Sequence, residues 1–298
     1  MRQRCLVIGA SGQLGRALCS VFQKDAEVVR AYRVPLPGQR RMDLSDPAGM
    51  LKELEEIRPH WILIAGAFCN VDLAQSQRQL CFKVNVEGPR TLCEYAARSG
   101  SVVVYYSTDQ VFDGTLSTFH EEAPVHPLNA YAQSKVEGEK VVRETLPRQH
   151  LILRTTGLYG PDLRRRNFIL RLVDQLSKGE GVRVAEDLWG MPTYTEDLAC
   201  VTQFLLDRDE RGTFHATGPE LMKRTSLALQ ACRVFKLDSA LLIPTATADL
   251  KQPAQRPLRV PLSGRKLKMI GAPCFRNVQE GLQNLFQWQG SSKTDDSD

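Results

Sequence analysis

The sequence predicts an α/β fold in which a doubly wound parallel sheet is followed by a smaller C-terminal lobe. Over the first two hundred residues, short runs rich in β-branched side chains alternate with longer amphipathic stretches, which is the pattern of strands joined by crossover helices. The strand-like runs are almost continuously apolar, as expected of strands buried on both faces. After Arg154 the alternation loosens. We therefore predict a Rossmann-type domain over residues 1–155, a smaller and partly interleaved lobe over 156–288, and a disordered polar tail over 289–298.

Each element is predicted from its own stretch of sequence, in chain order. Short apolar runs predict five strands in the first domain, at Cys5–Ile8, Glu27–Tyr32, Trp61–Ala65, Ser101–Tyr106 and Leu151–Leu153. Amphipathic periodicity predicts the helices between them, at Leu14–Phe22, Pro47–Ile57, Leu73–Lys83, Val86–Arg98 and Tyr131–Glu144. In the lobe we predict strands at Val182–Ala185 and Thr213–Thr217, and helices at Asn167–Ser177, Glu196–Leu206 and Ser226–Phe235, the last capped by Thr225 or Ser226. The stretch Leu250–Gly264, rich in Pro and Arg, is predicted to be a loop.

The composition is that of an ordinary globular protein and excludes several classes of function. The 298 residues carry a net charge of +5, far from the basic stripe of a nucleic-acid-binding protein. None of the eight cysteines forms a Cys-x-x-Cys pair, so we expect neither a zinc site nor a redox dithiol, and no metal. No apolar run is long enough to span a bilayer, and no signal-peptide core follows the first residues. We therefore expect a cytoplasmic protein with neither nucleic acid nor a membrane among its partners.

A glycine-rich turn directly follows the first predicted strand. The segment Gly9-Ala10-Ser11-Gly12-Gln13-Leu14-Gly15 leads from that strand into the first helix. Glycines at such a turn allow a tight reversal, let backbone N–H groups approach a diphosphate, and let the helix pack close to the strand. The positive end of the helix then attracts the phosphates. The turn therefore predicts a dinucleotide site.

The second predicted strand bears on the choice of cofactor. An NAD-binding fold usually carries an acidic residue about 20 residues after the glycines, where it binds the ribose 2′-hydroxyl. Here the strand ends in Arg30-Ala31-Tyr32-Arg33. Arg33, or with less support Arg30, suits a 2′-phosphate, which favours NADP(H) over NAD(H); a solvated arginine is the alternative. Asp43 is a candidate contact for the adenine edge.

A candidate catalytic set follows the fourth predicted strand. Thr108 and Asp109 stand at its carboxyl end, where ligands bind in open α/β sheets. Tyr131 and Lys135 are four residues apart and share one face of a predicted helix. We expect the ammonium to lower the pKa of the phenol, which would make Tyr131 a proton donor and acceptor near neutral pH. Carbonyl reduction requires such a donor together with a hydride from a nicotinamide.

These motifs resemble those of the extended short-chain dehydrogenase/reductases, and among them the dTDP-4-dehydrorhamnose reductase family. The resemblance runs in family order from residue 9 to about 257 and is carried by the glycine turn, Asn70-Val71-Asp72, Val84-Asn85-Val86-Glu87-Gly88, Ser107 to Gly114, Tyr131 to Lys135, Leu153-Arg154-Thr155, Gly190-Met191-Pro192-Thr193 and Gln255-Arg256-Pro257. It implies reduction of the keto group of a nucleotide-activated sugar, with Thr108, Tyr131 and Lys135 as the catalytic residues and Asp109 beside them. It also implies a homodimer.

The resemblance assigns further residues to ligands. Cofactor contacts are implied for Gly9, Ser11, Gly12, Gln13, Leu14, Gly15, Arg33, Asp43, Leu44, Ala65, Gly66, Ala67, Asn85, Tyr131 and Lys135. Substrate contacts are implied for Val71, Gln110, Gly157 and Arg256. Two of these depart from the family pattern, because Gln110 stands where the family usually has tyrosine, and Gly157 lies where an aromatic side chain usually meets the sugar. These departures bear on which substrate is bound, since the catalytic residues are present.

A second relative supplies an alternative function. The regulatory β subunit of methionine adenosyltransferase resembles this chain in Gly212-Thr213-Phe214-His215 and Ala254-Gln255-Arg256-Pro257, and it too keeps a Tyr-x-x-x-Lys motif. This resemblance implies a dinucleotide-binding subunit that acts on a partner enzyme without turnover of its own. Arg164-Arg165-Arg166 is also open to two interpretations, as a contact for a substrate diphosphate or as a solvated basic turn.

Overall fold

The computed structural model describes residues 2–292 and contains a central seven-stranded sheet. The strands of the chain are β1 (Arg4–Ile8), β2 (Glu27–Tyr32), β3 (Arg40–Arg41), β4 (Trp61–Ile64), β5 (Val102–Thr108), β6 (His150–Thr155), β7 (Leu158–Tyr159), β8 (Val182–Ala185), β9 (Trp189–Gly190), β10 (Thr193–Tyr194), β11 (Gly212–His215), β12 (Met222–Lys223) and β13 (Leu242–Thr245). The sheet has the order β3-β2-β1-β4-β5-β6-β11, and every neighbouring pair in it is parallel. The predicted α/β fold is confirmed.

Helices cover both faces of this sheet and also form much of the lobe. They are α1 (Gln13–Phe22), α2 (Pro47–Ile57), α3 (Val71–Ser76), α4 (Arg78–Phe82), α5 (Gly88–Ser99), α6 (Ala130–Thr145), α7 (Phe168–Leu176), α8 (Thr195–Asp207), α9 (Arg224–Phe235), α10 (Arg265–Met269) and α11 (Val278–Ser292). Among residues 2–292, no helix is long and apolar enough to cross a membrane.

Local sequence explains where the helices that frame the site begin. Asp46 accepts a hydrogen bond from the Gly49 N–H and precedes Pro47 at the start of α2, a combination favoured at helix N-termini. Asn129 accepts from the Ala132 N–H at 2.8 Å and so caps α6. Asn167 caps α7 in the same way. These caps fix the first turns from which several side chains of the site project.

The sheet separates two hydrophobic cores, because alternate side chains of its strands point to opposite faces. Cys5 and Val7 of β1 lie in one core with α1 and α8, whereas Leu6 and Ile8 lie in the other with α2 and α5. All seven residues of β5 are buried. The chain reverses its direction of progress across the sheet between β1 and β4, and ligands bind at such switch points, beyond the carboxyl ends of the strands.

The lobe has a core of its own, formed mainly by α7, α9 and α11 around Tyr159 and Tyr194. Three two-stranded ladders surround it, β7 with β10, β8 with β13, and β9 with β12. The chain after residue 155 also returns to the main sheet, where β11 forms the edge next to β6 and α8 packs on α1.

Three local predictions are wrong. The helix predicted over Leu73–Lys83 is divided into α3, α4 and a π-helical turn at Lys83–Glu87. Neither Thr225 nor Ser226 caps α9, which begins at Arg224 after an extended Lys223 without a side-chain cap. Residues 289–292 belong to α11 rather than to a disordered tail, because the amphipathic helix continues past its last core residues; the rest of the predicted tail, 293–298, lies outside the described residues.

Candidate active site

A cleft of about 1420 Å³ opens beyond the carboxyl ends of β1, β4 and β5, between the sheet domain and the lobe. One wall carries the glycine turn and the ends of the strands, and we call it the sheet wall. The other wall, the lobe wall, is formed by residues 157–192 and 222–257. Most of the predicted site residues line this one cleft: Gly9, Ser11, Gly12, Gln13, Leu14, Arg33, Asp43, Leu44, Ala65, Gly66, Ala67, Val71, Thr108, Asp109, Gln110, Tyr131, Lys135, Gly157 and Arg256.

The glycine turn has the crowding and the open N–H groups that a dinucleotide requires. Gly9 has a φ of +83°, and a Cβ there would lie 2.6 Å from the backbone nitrogen of Gly66. A Cβ on Gly15 would lie 2.2 Å from the Gly9 carbonyl oxygen. Helix α1 begins after Gly12 with neither a side-chain cap nor an acidic residue in its first turn, so its N–H groups are available to an anion. The residues present therefore fit a dinucleotide diphosphate.

The structure distinguishes the two arginines near the expected ribose position. Arg30 donates to the Gln23 side chain at 3.0 Å and does not line the cleft. Arg33 is exposed, lines the cleft, and has no ion pair with any residue in the described part of the chain. Asp43 also lines the cleft, with its carboxylate held by the Ser45 N–H and hydroxyl at 2.9 and 2.7 Å. Of these two arginines, only Arg33 lines the cleft.

Two predicted cofactor residues lie behind the cleft surface. Gly15 is buried against the glycine turn, where its missing side chain permits the close approach of helix and strand. Asn85 is buried in the π-helical turn. Its side chain accepts from the Phe68 N–H at 2.9 Å and donates to the Phe68 carbonyl at 3.0 Å. Asn85 therefore holds the loop after β4, and that loop forms part of the sheet wall.

Thr108, Asp109 and Tyr131 meet where β5 ends. Thr108 donates to the Asp109 carboxylate at 3.1 Å, and burial raises the pKa of this carboxyl, against hydrogen bonds from Thr156 and Thr108. Burial also raises the pKa of Tyr131 above its ordinary value, and hydrogen bonding to Thr108 opposes that shift. The phenol is therefore protonated at neutral pH and can act as a proton donor.

Lys135 follows Tyr131 by about one turn of helix α6. Its side chain is buried, and Nζ stands 3.8 Å from the centroid of the Tyr105 ring. Burial lowers the pKa of Lys135 to about 7, although the Glu139 carboxylate favours the charged form. The prediction that the pKa of Tyr131 lies below its ordinary value is wrong, because burial of the phenol raises this pKa.

A buried ion pair joins α6 to β6 and was not predicted from the sequence. Glu139 is fully buried, and both its carboxylate oxygens accept hydrogen bonds from the Arg154 guanidinium, at 2.9 and 2.7 Å. Arg143 donates to the same carboxylate at 3.0 Å. Glu139 follows Lys135 by four residues, which places it on the same helix face. That spacing was the signal available in the sequence.

The candidate substrate residues are held by specific partners. Gln110 accepts a hydrogen bond from Asn129 at 3.0 Å, so the residue that replaces the family's tyrosine is tied to the cap of α6. Gly157 has a φ of +57° and faces Pro192. Arg256 forms a two-pronged ion pair with Asp72, at 3.0 and 2.8 Å. This pair joins two of the motifs that carry the family resemblance.

The lobe wall carries cations that the sequence analysis did not single out. Arg171, Arg183 and Arg224 all line the cleft. The Arg224 guanidinium lies 4.4 Å from the centroid of the Phe168 ring and has no ion pair among the described residues. Burial and the neighbouring Arg171 lower its pKa to about 10. No repeat or spacing marks Arg224 in the sequence, because its position depends on how β12 and α9 pack in the lobe.

No group of three or more potential metal ligands occurs within residues 2–292. A positioned phenol, a hydroxyl, a buried ammonium and a dinucleotide cradle instead share one cleft. This combination can deliver a proton to a carbonyl oxygen whose carbon receives a hydride.

Comparisons with known proteins agree with this geometry. The sequence profile of the RmlD substrate binding domain matches residues 3–289. A dTDP-4-dehydrorhamnose reductase from Streptomyces griseus is 32% identical over 291 residues, covering 96% of this chain and 93% of that protein. The methionine adenosyltransferase 2 subunit beta of Mus musculus is 31% identical over 293 residues, covering 94% and 87% of the two chains. The crystal structure of a dTDP-4-dehydrorhamnose reductase from Bacillus anthracis in complex with NADP superposes with a TM-score of 0.89 at 27% identity, covering 97% and 100%.

Proposed function

This chain belongs to the RmlD substrate binding domain family, and from that premise we propose that it reduces the keto group of a nucleotide-activated sugar with NADPH. One observation carries the proposal: Thr108, Tyr131 and Lys135 line the same cleft as the glycine turn. A bound nicotinamide would therefore share that cleft with a proton donor. Bound NADPH supplies the hydride that reduces the carbonyl carbon.

Residues of the chain itself supply the proton. Tyr131 donates its phenolic proton to the carbonyl oxygen as that oxygen becomes an alkoxide. Thr108, which donates its hydroxyl proton to the Asp109 carboxylate in this structure, would turn that proton to the same oxygen when the substrate is bound. The Lys135 ammonium lies on the buried side of α6, where its charge stabilises the phenolate that remains after proton transfer. Solvent then restores the proton to Tyr131.

Two arginines of the cleft support the assignment of its ligands. Arg33 has no acidic partner within residues 2–292, and the solved relative from Bacillus anthracis holds NADP, which together support NADP(H) over NAD(H). On the lobe wall, Arg224 has no ion pair in the described part of the chain and is a better candidate for the substrate diphosphate than Arg256, because Asp72 already neutralises Arg256. The cytoplasmic location and the homodimer stay predictions.

The regulatory-subunit alternative has weaker support, although methionine adenosyltransferase 2 β subunits are 30–31% identical to this chain. The Thr108–Tyr131–Lys135 set favours the reductase only weakly, because the regulatory subunit also keeps a Tyr-x-x-x-Lys motif. Under the alternative, the protein would bind NADPH without turnover and would co-purify with a synthetase.

The test is NADPH oxidation with a dTDP-4-keto-6-deoxyhexose, followed at the nicotinamide absorbance. Tyr131→Phe should lower kcat by about 10²- to 10⁴-fold, the usual contribution of a general acid, and should leave the NADPH Kd unchanged. Tyr95→Phe is the matched control, because the Tyr95 hydroxyl bonds the Leu54 carbonyl in the core behind α2. Undiminished turnover by Tyr131→Phe would remove the phenol from the mechanism, and NADPH binding without turnover by the wild type would favour the regulatory role.

A further inference from the structure

An arginine of the lobe reaches across the cleft to the glycine turn of the sheet domain. Arg164 lies between β7 and α7, and its Nη2 donates to the Ser11 hydroxyl at 2.9 Å. The two residues are 153 positions apart in sequence. We propose that Arg164 is a ligand of the cofactor diphosphate, contributed by the lobe, rather than a ligand of the substrate. The inference rests on the proposed use of NADPH.

The loop that carries Arg164 is ordered by a buried carboxylate. Asp162 is 4% exposed, and its two carboxylate oxygens accept from the backbone N–H groups of Arg164 and Arg166, at 3.1 and 2.8 Å. The backbone of Arg165 adopts a φ of +51°, and its side chain turns away to pair with Asp174 at 2.8 Å. The side chains of Arg164 and Arg165 therefore have different environments, and the loop fixes the backbone of Arg164 beside the turn.

A second pair of contacts joins the lobe to the same turn. The Asn167 side chain donates to Gln13 Oε1 at 3.2 Å, and Gln13 Nε2 donates to the Leu158 carbonyl at 3.3 Å. Asn167 is buried and caps α7, so this contact is anchored at the lobe side. Ser11 and Gln13 flank Gly12, the residue after which α1 begins. The lobe thus meets the turn on both sides of the helix N-terminus.

The chemistry of this junction suits a diphosphate. The start of α1 offers N–H groups and the positive end of a helix dipole. Arg164 uses one of its guanidinium nitrogens on Ser11 and has no ion pair among the described residues. Since a guanidinium matches phosphate oxygens in a two-pronged geometry, Arg164 can bind a diphosphate that rests on the turn. The substrate candidates Gln110 and Gly157 follow β5 and β6 instead.

A cofactor held in this way would be bound by the sheet domain and the lobe at once. Its diphosphate would lie between α1 of the sheet domain and the Asp162-ordered loop of the lobe. The adenosine and nicotinamide ends would add contacts mainly from the sheet wall. Cofactor binding should therefore tighten the junction between the sheet domain and the lobe.

The decisive experiment measures NADPH and NADH binding by nicotinamide fluorescence, without any sugar substrate. Arg164→Gln should weaken both cofactors by the same factor, about 10- to 100-fold, which is the range for a hydrogen-bonded charge. The factor should be equal because the diphosphate is common to both. Arg33→Gln should weaken NADPH alone, since only NADPH carries the 2′-phosphate. Arg164→Lys should recover part of the loss.

Lys178→Gln, at an exposed position after α7 that does not line the cleft, is the control for net charge and should leave both Kd values within about twofold. Equal cofactor affinity in Arg164→Gln and the wild type would overturn the inference, and a raised KM for the sugar nucleotide in that variant would assign Arg164 to the substrate. Circular dichroism of Arg164→Gln shows whether the variant is folded, and Arg164→Lys provides the comparison if it is not. Failure of the proposed function would appear separately, as wild-type cofactor binding without turnover.

Discussion

The two walls of the cleft are built from different parts of the chain and by different means. At the glycine turn of the sheet wall, the backbone itself forms the surface. Gly9 in this turn and Gly15 behind it are so crowded that a Cβ would strike neighbouring backbone atoms. On the lobe wall, long side chains such as Arg171 and Arg224 form the surface. A Cβ on Gly190 of this wall would meet no atom within 4 Å. The comparison teaches that the sheet wall should tolerate little change of shape, whereas the lobe wall can change its ligand by exchanging side chains.

Each wall also holds a cation whose pKa burial lowers, and removing the one on the sheet wall should have the largest effect. Burial lowers the pKa of Lys135 to about 7 from 10.5. Between these values the unfolded chain binds a proton that the folded protein lacks, so the free energy of unfolding should rise with pH from about 7 towards 10.5. Below pH 7 the full cost of burying the charge remains. Lys135→Met should abolish this dependence and stabilise the protein at pH 6 by on the order of a few kcal/mol.

Urea unfolding of the cofactor-free protein at a series of pH values measures this effect. Lys140→Met, an exposed position on the same helix, should keep the wild-type pH dependence. If the free energy of unfolding depends on pH in the same way in the wild type and in Lys135→Met, the Lys135 ammonium is solvated in the folded protein.

Adding a methyl group to a glycine of each wall should have a smaller effect on the free energy of unfolding, and this effect should differ between the two walls. Gly15→Ala places a methyl group 2.2 Å from the Gly9 carbonyl oxygen and should lower the free energy of unfolding by about 1–3 kcal/mol, the usual cost of overpacking. The same displacement should weaken NADPH binding, because the turn must move. Gly190→Ala is the counterpart on the lobe wall and should change neither quantity. Thermal unfolding with and without NADPH tests both variants, and equal behaviour would erase the proposed contrast.

The smallest effect is expected from the lobe cation. Arg224→Gln should raise the KM for the sugar nucleotide about tenfold, in the range for one lost charged hydrogen bond, with the NADPH Kd unchanged. Arg233→Gln, exposed on the same helix, is the control for net charge. Steady-state kinetics give the answer, and an unchanged KM would assign the substrate diphosphate to other residues.

The contrast between a wall formed by backbone and a wall formed by side chains explains how much could be predicted from the sequence. Strands β2 and β8 and helix α2 have the predicted ends, and the glycine turn lies where its spacing placed it, because local periodicity and backbone crowding determine these features. The position of Arg224 in the cleft lining and the pairing of Asp72 with Arg256 depend on packing between distant segments, which no local sequence pattern predicts. The division of the predicted Leu73–Lys83 helix has a similar origin, since the buried Asn85 lies in the π-helical turn that follows. The raised pKa of Tyr131 depends on burial, which spacing alone does not give.

The ion pair between Asp72 and Arg256 also has a consequence for how the protein is made. Its partners are 184 residues apart, so one emerges from the ribosome long before the other. At 5–20 residues per second, the interval is roughly 10–40 s. During that time the carboxylate near the start of α3 has no guanidinium, and the sheet strands synthesised first cannot yet close this side of the cleft. The final strand of the sheet, β11, also precedes the lobe helices α9 and α11 in the chain. Completion of the cleft is therefore among the last events in the biosynthesis of this chain.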